Sequence, residues 1–133
     1  MHPKFLKSDS LSKQVIGAAI EVHRTMGPGL VESIYEKCLS HELNLRGLPS
    51  KRQLIVPIEY KGYTFEEPLR LDILVDDCLL LELKSVETVH PIHKAQLLSY
   101  MKLIDVPIGL VLNFHEIQMR DGIHRMILPG ANQ

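Results

Sequence analysis

The segment from Leu69 to Ser85, LRLDILVDDCLLLELKS, most constrains the fold of this 133-residue chain. It holds two apolar runs, Leu69 to Val75 and Cys78 to Lys84, separated only by Asp76 and Asp77. Apolar runs of this length, bounded by turn residues, are typical of buried strands. Because a two-residue connection joins antiparallel neighbours, we predict a hairpin in the interior of a sheet.

Three ionisable side chains interrupt this apolar hairpin: Asp72, Glu82 and Lys84. Successive side chains on a strand point to opposite faces of the sheet. The alternation predicts one apolar face made of Leu69, Leu71, Ile73 and Val75 with Leu79, Leu81 and Leu83. If these apolar faces coincide, the two carboxylates and the ammonium emerge together on the other face.

Two carboxylates held close together repel each other unless a proton or a cation lies between them. Mg²⁺ prefers oxygen ligands, and one or two protein carboxylates, waters and substrate phosphate oxygens complete its shell. A bound metal lowers the pKa of a water ligand, and a nearby Lys can orient that water or neutralise developing charge. The set Asp72, Glu82 and Lys84 therefore fits metal-assisted hydrolysis of a phosphodiester.

A simpler arrangement fits the same three residues. Asp72 and Lys84 can form a salt bridge on a solvated face, with Glu82 exposed to water beside them. Exposed ion pairs of this kind are common and contribute little to stability. The three residues alone do not separate these two interpretations.

The remaining periodicities predict the order helix, helix, four strands, helix, two strands. Helical spacing runs from Leu11 to Met26 and again from Val31 to about Gly47, and Pro91 begins a third helix that ends near Ile104. Alternating residues on either side of Lys61–Gly62 predict a hairpin before Leu69. The third helix allows the strand after it to lie parallel to an earlier one, so we predict an α/β (α+β) fold.

Length and composition narrow the class of protein. A chain of 133 residues with 45% apolar residues fits a single globular domain over residues 1–133. The net charge of −1 gives no general support for nonspecific nucleic-acid binding. We find no apolar stretch typical of a signal peptide or a membrane span, and Cys38 and Cys78 do not form a CxxC pair. We therefore expect a cytoplasmic protein with reduced thiols and no membrane partner.

Two motifs resemble a known family. LDILVDDCLLLELK, followed by a helix that carries Gln96 and Tyr100, resembles the PD-(D/E)XK nuclease superfamily. The stretch IGAAIEVHRTMGPGLVESIYEKCL contains G-x-x-E-x-x-Y as Gly29, Glu32 and Tyr35, and so resembles the small prokaryotic GxxExxY proteins of that superfamily. The resemblance runs from about Ile16 to Ile127. In one departure, Leu71 stands where the superfamily name implies a Pro.

The resemblance implies a restriction-endonuclease-like mixed β-sheet flanked by helices, with an αβββαβ core and an extra N-terminal helix. It implies Mg²⁺ or Mn²⁺ as cofactor, held by Asp72, Glu82 and the backbone carbonyl of Leu83, with Glu32 as a further ligand, direct or through water. Lys84 would serve the attacking water.

Three other groups of residues complete the predicted site. Gln96 would orient Lys84 or the scissile phosphate, and Tyr35 and Tyr100 would lie against the substrate. His23 and Arg24 end the first helix, where a cation is favourable by itself, or else they reach the phosphate.

These expectations favour a nuclease that acts on nucleic acid, DNA in preference to RNA. A homodimer is plausible because a double-strand cutter commonly pairs two sites, and the strand HRMIL is a candidate interface that can equally complete the monomer's own sheet. The near-neutral charge favours an alternative, a noncatalytic binding or regulatory module on the same fold. A third hypothesis is a metal-dependent hydrolase that acts on a small phosphorylated molecule.

Overall fold

The protein, described by a computed structural model of residues 1–133, has three long helices and seven strands. The helices are α1 (Phe5–Met26), α2 (Glu32–Leu45) and α3 (Pro91–Ile104). The strands are β1 (Ser50–Val56), β2 (Glu59–Tyr60), β3 (Tyr63–Thr64), β4 (Leu69–Val75), β5 (Leu79–Lys84), β6 (Ile108–Asn113) and β7 (Ile123–Ile127), with a short 3-10 helix at Met119–Gly122. None of the three helices combines the length and the apolar character that crossing a bilayer requires.

Five strands form one mixed sheet in the order β1-β4-β5-β6-β7. β5 and β6 are parallel because α3 crosses between them, and the other neighbours are antiparallel. The predicted hairpin is present, since Asp76 and Asp77 adopt left-handed φ angles of 46° and 57°, which suit a tight turn between twisted strands. The predicted mixed sheet flanked by helices, consistent with a restriction-endonuclease-like fold, is therefore confirmed.

Apolar side chains cover both faces of this sheet. One core lies under α1 and α2, where Val15, Tyr35 and Leu39 pack on strand residues such as Leu81 and Leu110. The other lies under α3 and contains Leu71, Leu74, Leu80, Leu97, Met101, Val106 and Val111. With both faces covered, the central strands are buried almost throughout, which explains their nearly continuous apolar sequences.

The predicted apolar face of β4 is wrong at one end, because the strand changes faces at Asp72. Ile73 belongs to the core under α1 and α2, as predicted, but Leu71 lies in the core under α3, and Leu69 packs against it. On β1, the residue opposite Asp72 is Gln53, which has a left-handed φ of 54°. The residues on either side of Gln53 pair with β4, but Gln53 itself does not. The regular alternation of both strands is thus interrupted at the same point.

Two element boundaries also differ from the sequence prediction. α1 begins at Phe5 rather than Leu11, so the first helix is longer than expected. The prediction of four strands before the third helix is wrong by one, because the first predicted strand is divided at Pro57. Its first part, β1, ends at Val56 and pairs with β4, and the predicted hairpin is a separate two-residue ladder of β2 with β3. Pro57 has no N–H to donate, so a strand boundary there leaves no ladder hydrogen bond missing.

We expect Gly122→Ala to destabilise the protein by about 1–3 kcal/mol, because a Cβ at this position would lie 2.1 Å from the carbonyl oxygen of Asn113. Gly17→Ala, within α1, should instead stabilise it by about 0.5–1 kcal/mol, since the new methyl group meets only an ordinary contact with Arg46. Urea unfolding measures both free energies. Equal effects of the two substitutions would contradict this packing.

Candidate active site

The sheet opens at Asp72. The ladder between β4 and β5 runs from Val75–Leu79 to Ile73–Leu81 and then stops, although both strands continue. At the opening, the backbone N–H of Leu83 donates a 2.8 Å hydrogen bond to Oδ2 of Asp72. The carboxylate thus takes the place of a backbone acceptor and keeps this buried donor paired while the two strands separate.

A cavity of about 220 Å³ lies at this opening. It is lined by Glu32, Ser33, Glu36, Gln53, Asp72 and Leu83. Because the N–H and C=O groups of one strand residue point to the same neighbour, the carbonyl of Leu83 faces the same side as the N–H that binds Asp72. Of the predicted metal ligands, Glu32, Asp72 and Leu83 therefore border one cavity.

Glu82 lies next to Asp72 and is nearly inaccessible, with 7% of its surface exposed. Burial and then the negative charge of Asp72 raise the pKa of Glu82 to about 8, against a smaller opposite effect of Lys84. Oε1 of Glu82 is buried without any hydrogen-bond partner. A buried polar atom without a partner lowers the stability of the folded state, so a contribution to stability does not explain why this oxygen is there.

Asp72, Lys84 and Tyr100 share the electrostatic environment of Glu82. Burial raises the pKa of Asp72, and the Leu83 N–H and the Lys84 charge oppose that rise. Burial and the charges of Glu82 and Asp72 raise the pKa of the Tyr100 phenol. Asp72, Glu82, Lys84 and Tyr100 are thus brought together.

The salt-bridge interpretation of these residues does not hold. Neither Asp72 nor Glu82 forms a salt bridge with any basic side chain. Glu82 is also buried, whereas that interpretation requires it to be exposed. The two acids face each other and a half-buried Lys84 rather than separate basic partners.

The three residues of the GxxExxY motif have distinct places. Gly29 adopts a left-handed φ of 87° in the loop before α2, and Glu32 is the first residue of that helix. Tyr35 is fully buried and stacks on Phe114 with ring centroids 4.5 Å apart. Its hydroxyl donates to the carbonyl of Gly27 and accepts from the N–H of Leu30. The predicted substrate contact of Tyr35 therefore does not fit, because this side chain anchors the loop.

Two other predicted substrate contacts lie elsewhere. His23 is buried against the segment after β6, where its Nε2 lies 2.7 Å from the carbonyl oxygen of Glu116. Arg24 pairs with Glu21 on the surface of α1. The helix-terminus interpretation of these two residues is therefore the better one. Gln96 is exposed on α3, one turn before Tyr100, and makes no hydrogen bond to Lys84.

Three residues of the cavity were missed by the sequence reasoning: Ser33, Glu36 and Gln53. Glu36 follows Glu32 by one helical turn, so the i, i+4 spacing on α2 was the available signal. Its carboxylate accepts a hydrogen bond from Gln53 and lies 3.7 Å from Arg52, and burial raises its pKa. Gln53 faces Asp72 only because of the β1–β4 register, which no local sequence pattern specifies.

These residues fit a hard divalent cation. Asp72 offers Oδ1 while Oδ2 binds the Leu83 N–H, and Glu82 offers an unpaired oxygen. No group of three or more His, Cys, Asp or Glu side chains is arranged to hold a metal ion, so a cation held here would have at most two carboxylates and one backbone carbonyl as its protein ligands. Mg²⁺ commonly binds in this way, with waters and substrate phosphate oxygens completing the octahedron.

We expect Tyr35→Phe to lower the free energy of unfolding by about 1–2 kcal/mol, because it leaves the partly buried Leu30 N–H without its acceptor. Urea unfolding measures this change. Tyr63→Phe, which alters an exposed tyrosine, is the matched control and should change stability by less than about 0.5 kcal/mol. Equal stabilities of the two variants would contradict the anchoring role of Tyr35.

The raised pKa of Glu82 predicts a pH-dependent stability in metal-free protein. Its pKa is about 8 in the folded state and about 4.5 in the unfolded state, so the folded protein retains a proton that the unfolded chain releases. This stabilisation is complete below pH 4.5 and is lost as the pH rises to 8. Between these limits, wild type should lose at least about 1 kcal/mol more stability than Glu82→Gln, since each pKa unit corresponds to about 1.4 kcal/mol.

Urea unfolding in EDTA across this pH range tests the expectation. Glu87→Gln, at an exposed position on the loop after β5, is the control and should keep the wild-type pH dependence. Parallel pH profiles for wild type and Glu82→Gln would show that Glu82 titrates normally.

Comparisons with known proteins agree with this geometry. A family model described as the PD-(D/E)XK nuclease superfamily matches residues 9–126, which is most of the chain. No curated protein and no solved structure matches the chain. The matched region contains α2, the opened hairpin and α3. Because the model matches most of the chain, this chain belongs to the PD-(D/E)XK nuclease superfamily.

Proposed function

We propose that the protein is a metal-dependent nuclease that hydrolyses phosphodiester bonds, with DNA as the preferred substrate. The observation that carries this proposal is the unpaired, buried oxygen of Glu82 beside the Asp72 carboxylate. A purely structural site has no reason to retain a buried acid whose pKa is raised by burial and by the charge of a second acid beside it. A divalent cation removes that cost, and superfamily membership supports the same chemistry.

In this proposal the ligands are Asp72, Glu82 and the Leu83 carbonyl, with Glu32 acting through water. Glu32 suits that outer position because it is exposed at the first turn of α2 while it borders the cavity. Mg²⁺ or Mn²⁺ would supply a Lewis acid that lowers the pKa of a bound water and stabilises charge on the phosphate.

Lys84 and Tyr100 border the two acids on the side of the sheet that α3 covers. Lys84 follows Glu82 by two residues on β5, so both side chains point to the same face. Its ammonium can hold the attacking water by a hydrogen bond and offset negative charge that develops on the phosphate. Tyr100 is placed to support this group or to donate to the substrate, and Gln96 is placed one helical turn away on the exposed side.

Several finer features belong to the same proposal. Gly29, Glu32 and Tyr35 support membership of the GxxExxY group, since each has a defined structural place. We place the enzyme in the cytoplasm as a single domain, in keeping with two free cysteines. A homodimer would bring two sites together for double-strand cleavage. β7 completes the sheet as an edge strand, and its outer edge is the candidate interface for a second copy.

We expect Glu82→Gln to reduce cleavage by at least about 100-fold, since loss of one charge-stabilising group costs roughly 10²–10³ in rate. Cleavage is measured on single-stranded, double-stranded and branched DNA with Mg²⁺ or Mn²⁺. Binding of Mn²⁺, followed by electron paramagnetic resonance, should weaken in parallel.

Glu87→Gln is the matched control, because it makes the same chemical change at an exposed position outside the cavity. It should keep the wild-type rate and the wild-type Mn²⁺ affinity. If wild type cleaves no substrate with either metal, or if Glu82→Gln cleaves as well as wild type, the nuclease proposal is wrong.

A further inference from the structure

A second depression of about 500 Å³ lies between α2 and the beginning of β1. Five of its lining residues are polar: Lys37, Ser40, His41, Asn44 and Ser50. Leu48 and Pro49 complete the lining at one end. We call this depression the α2–β1 groove.

The α2–β1 groove and the cavity at Asp72 are bordered by the same two elements. On α2, Lys37 in the groove follows Ser33 in the cavity by four residues, so the two side chains lie on one helix face. On β1, Ser50 in the groove precedes Gln53 in the cavity by three residues along the same strand. The face of α2 that borders the cavity therefore also borders the groove.

The charge of the groove differs from that of the cavity. Three of the six cavity residues are acidic, whereas no carboxylate lines the groove. The nearby ion pairs join Arg46 to Glu42 and Arg52 to Glu36. Lys37 takes part in no salt bridge, and it is the one charged side chain apart from His41 that lines the groove.

The polar side chains of the groove can also all donate hydrogen bonds. An ammonium, an imidazole, an amide and two hydroxyls can all donate, and an acceptor-rich anion can bind to all of them. Such side chains are those that commonly contact phosphate and sugar oxygens in nucleic-acid complexes. Among them only the His41 imidazole is an aromatic ring, and no Phe, Tyr or Trp that could stack on a base lines the groove.

We propose that the α2–β1 groove binds the sugar–phosphate backbone of the nucleic-acid strand on one side of the scissile bond. This inference rests on the proposed nuclease function and adds where the strand runs and how it is recognised. From Lys37 to Asn44 the groove follows about 10 Å of helix, given a rise of 1.5 Å per residue. Duplex phosphates recur about every 3.4 Å of axis per strand, so more than one phosphate fits. Recognition is independent of base sequence, because the contacts are to the backbone.

Equilibrium binding without cleavage tests the proposal. Fluorescence anisotropy of two labelled 20-nucleotide DNA strands with unrelated sequences gives Kd in EDTA over a range of salt concentrations. Lys37→Ala should raise Kd about fivefold for both strands and reduce the slope of log Kd against log salt by about 1. Asn44→Asp, which adds a negative charge with little change of shape, should weaken binding at least as much.

Two controls match these changes outside the groove. Lys102→Ala removes an exposed charge near the end of α3, and Gln133→Glu adds one at the last residue. Both should keep Kd within about twofold of wild type. The proposal is overturned if wild type binds neither strand, if Lys37→Ala behaves like Lys102→Ala, or if its effect depends on the sequence of the strand.

The two proposals can fail separately. Binding that depends on Lys37, in a protein that cleaves no DNA, would support the groove and contradict the nuclease. Cleavage that depends on Glu82, with binding that is indifferent to Lys37 and Asn44, would support the nuclease and contradict the groove.

Discussion

The hydrogen bond between the Leu83 N–H and the Asp72 carboxylate allows two strands in the middle of a sheet to part. Without it, separation of β4 from β5 would leave a buried donor unpaired, at a cost of about 1–3 kcal/mol. The cavity, which Asp72 and Leu83 both line, lies where the two strands separate. One carboxylate thus completes the backbone hydrogen bonding with one oxygen and leaves the other free for a ligand.

Much of the fold was predictable because its signals are local. The lengths of β4 and α3 followed from apolar run length, turn residues and Pro91, and the pairing of the hairpin followed from Asp76 and Asp77. The face change at Asp72 was not predictable, since strict alternation assumes a regular strand. It depends on Gln53, a residue 19 positions earlier in the chain that has no glycine or asparagine to mark its left-handed backbone.

The residues of the candidate site also fall into those that local sequence signals indicated and those that they did not. Asp72, Glu82 and Lys84 were selected because strict alternation within one hairpin predicts a common face for them, although β4 changes faces at Asp72. Tyr35 was assigned to substrate binding because it belongs to a motif. In the structure, its hydroxyl instead makes hydrogen bonds to the backbone of the loop before α2. Glu36 was missed because a single acid on a helix looks like ordinary surface until the helix is placed against β1.

The opening of the sheet includes one residue, Gln53, in an unfavourable backbone conformation. A residue with a side-chain Cβ is disfavoured in the left-handed region, and an ordinary β-branched residue in a regular strand conformation would let β1 and β4 pair without interruption. That repair would favour folding while it narrows the cavity. At this position, stability of the fold and width of the cavity are therefore opposed, because the conformation that keeps the gap open opposite Asp72 is the one that costs folding free energy.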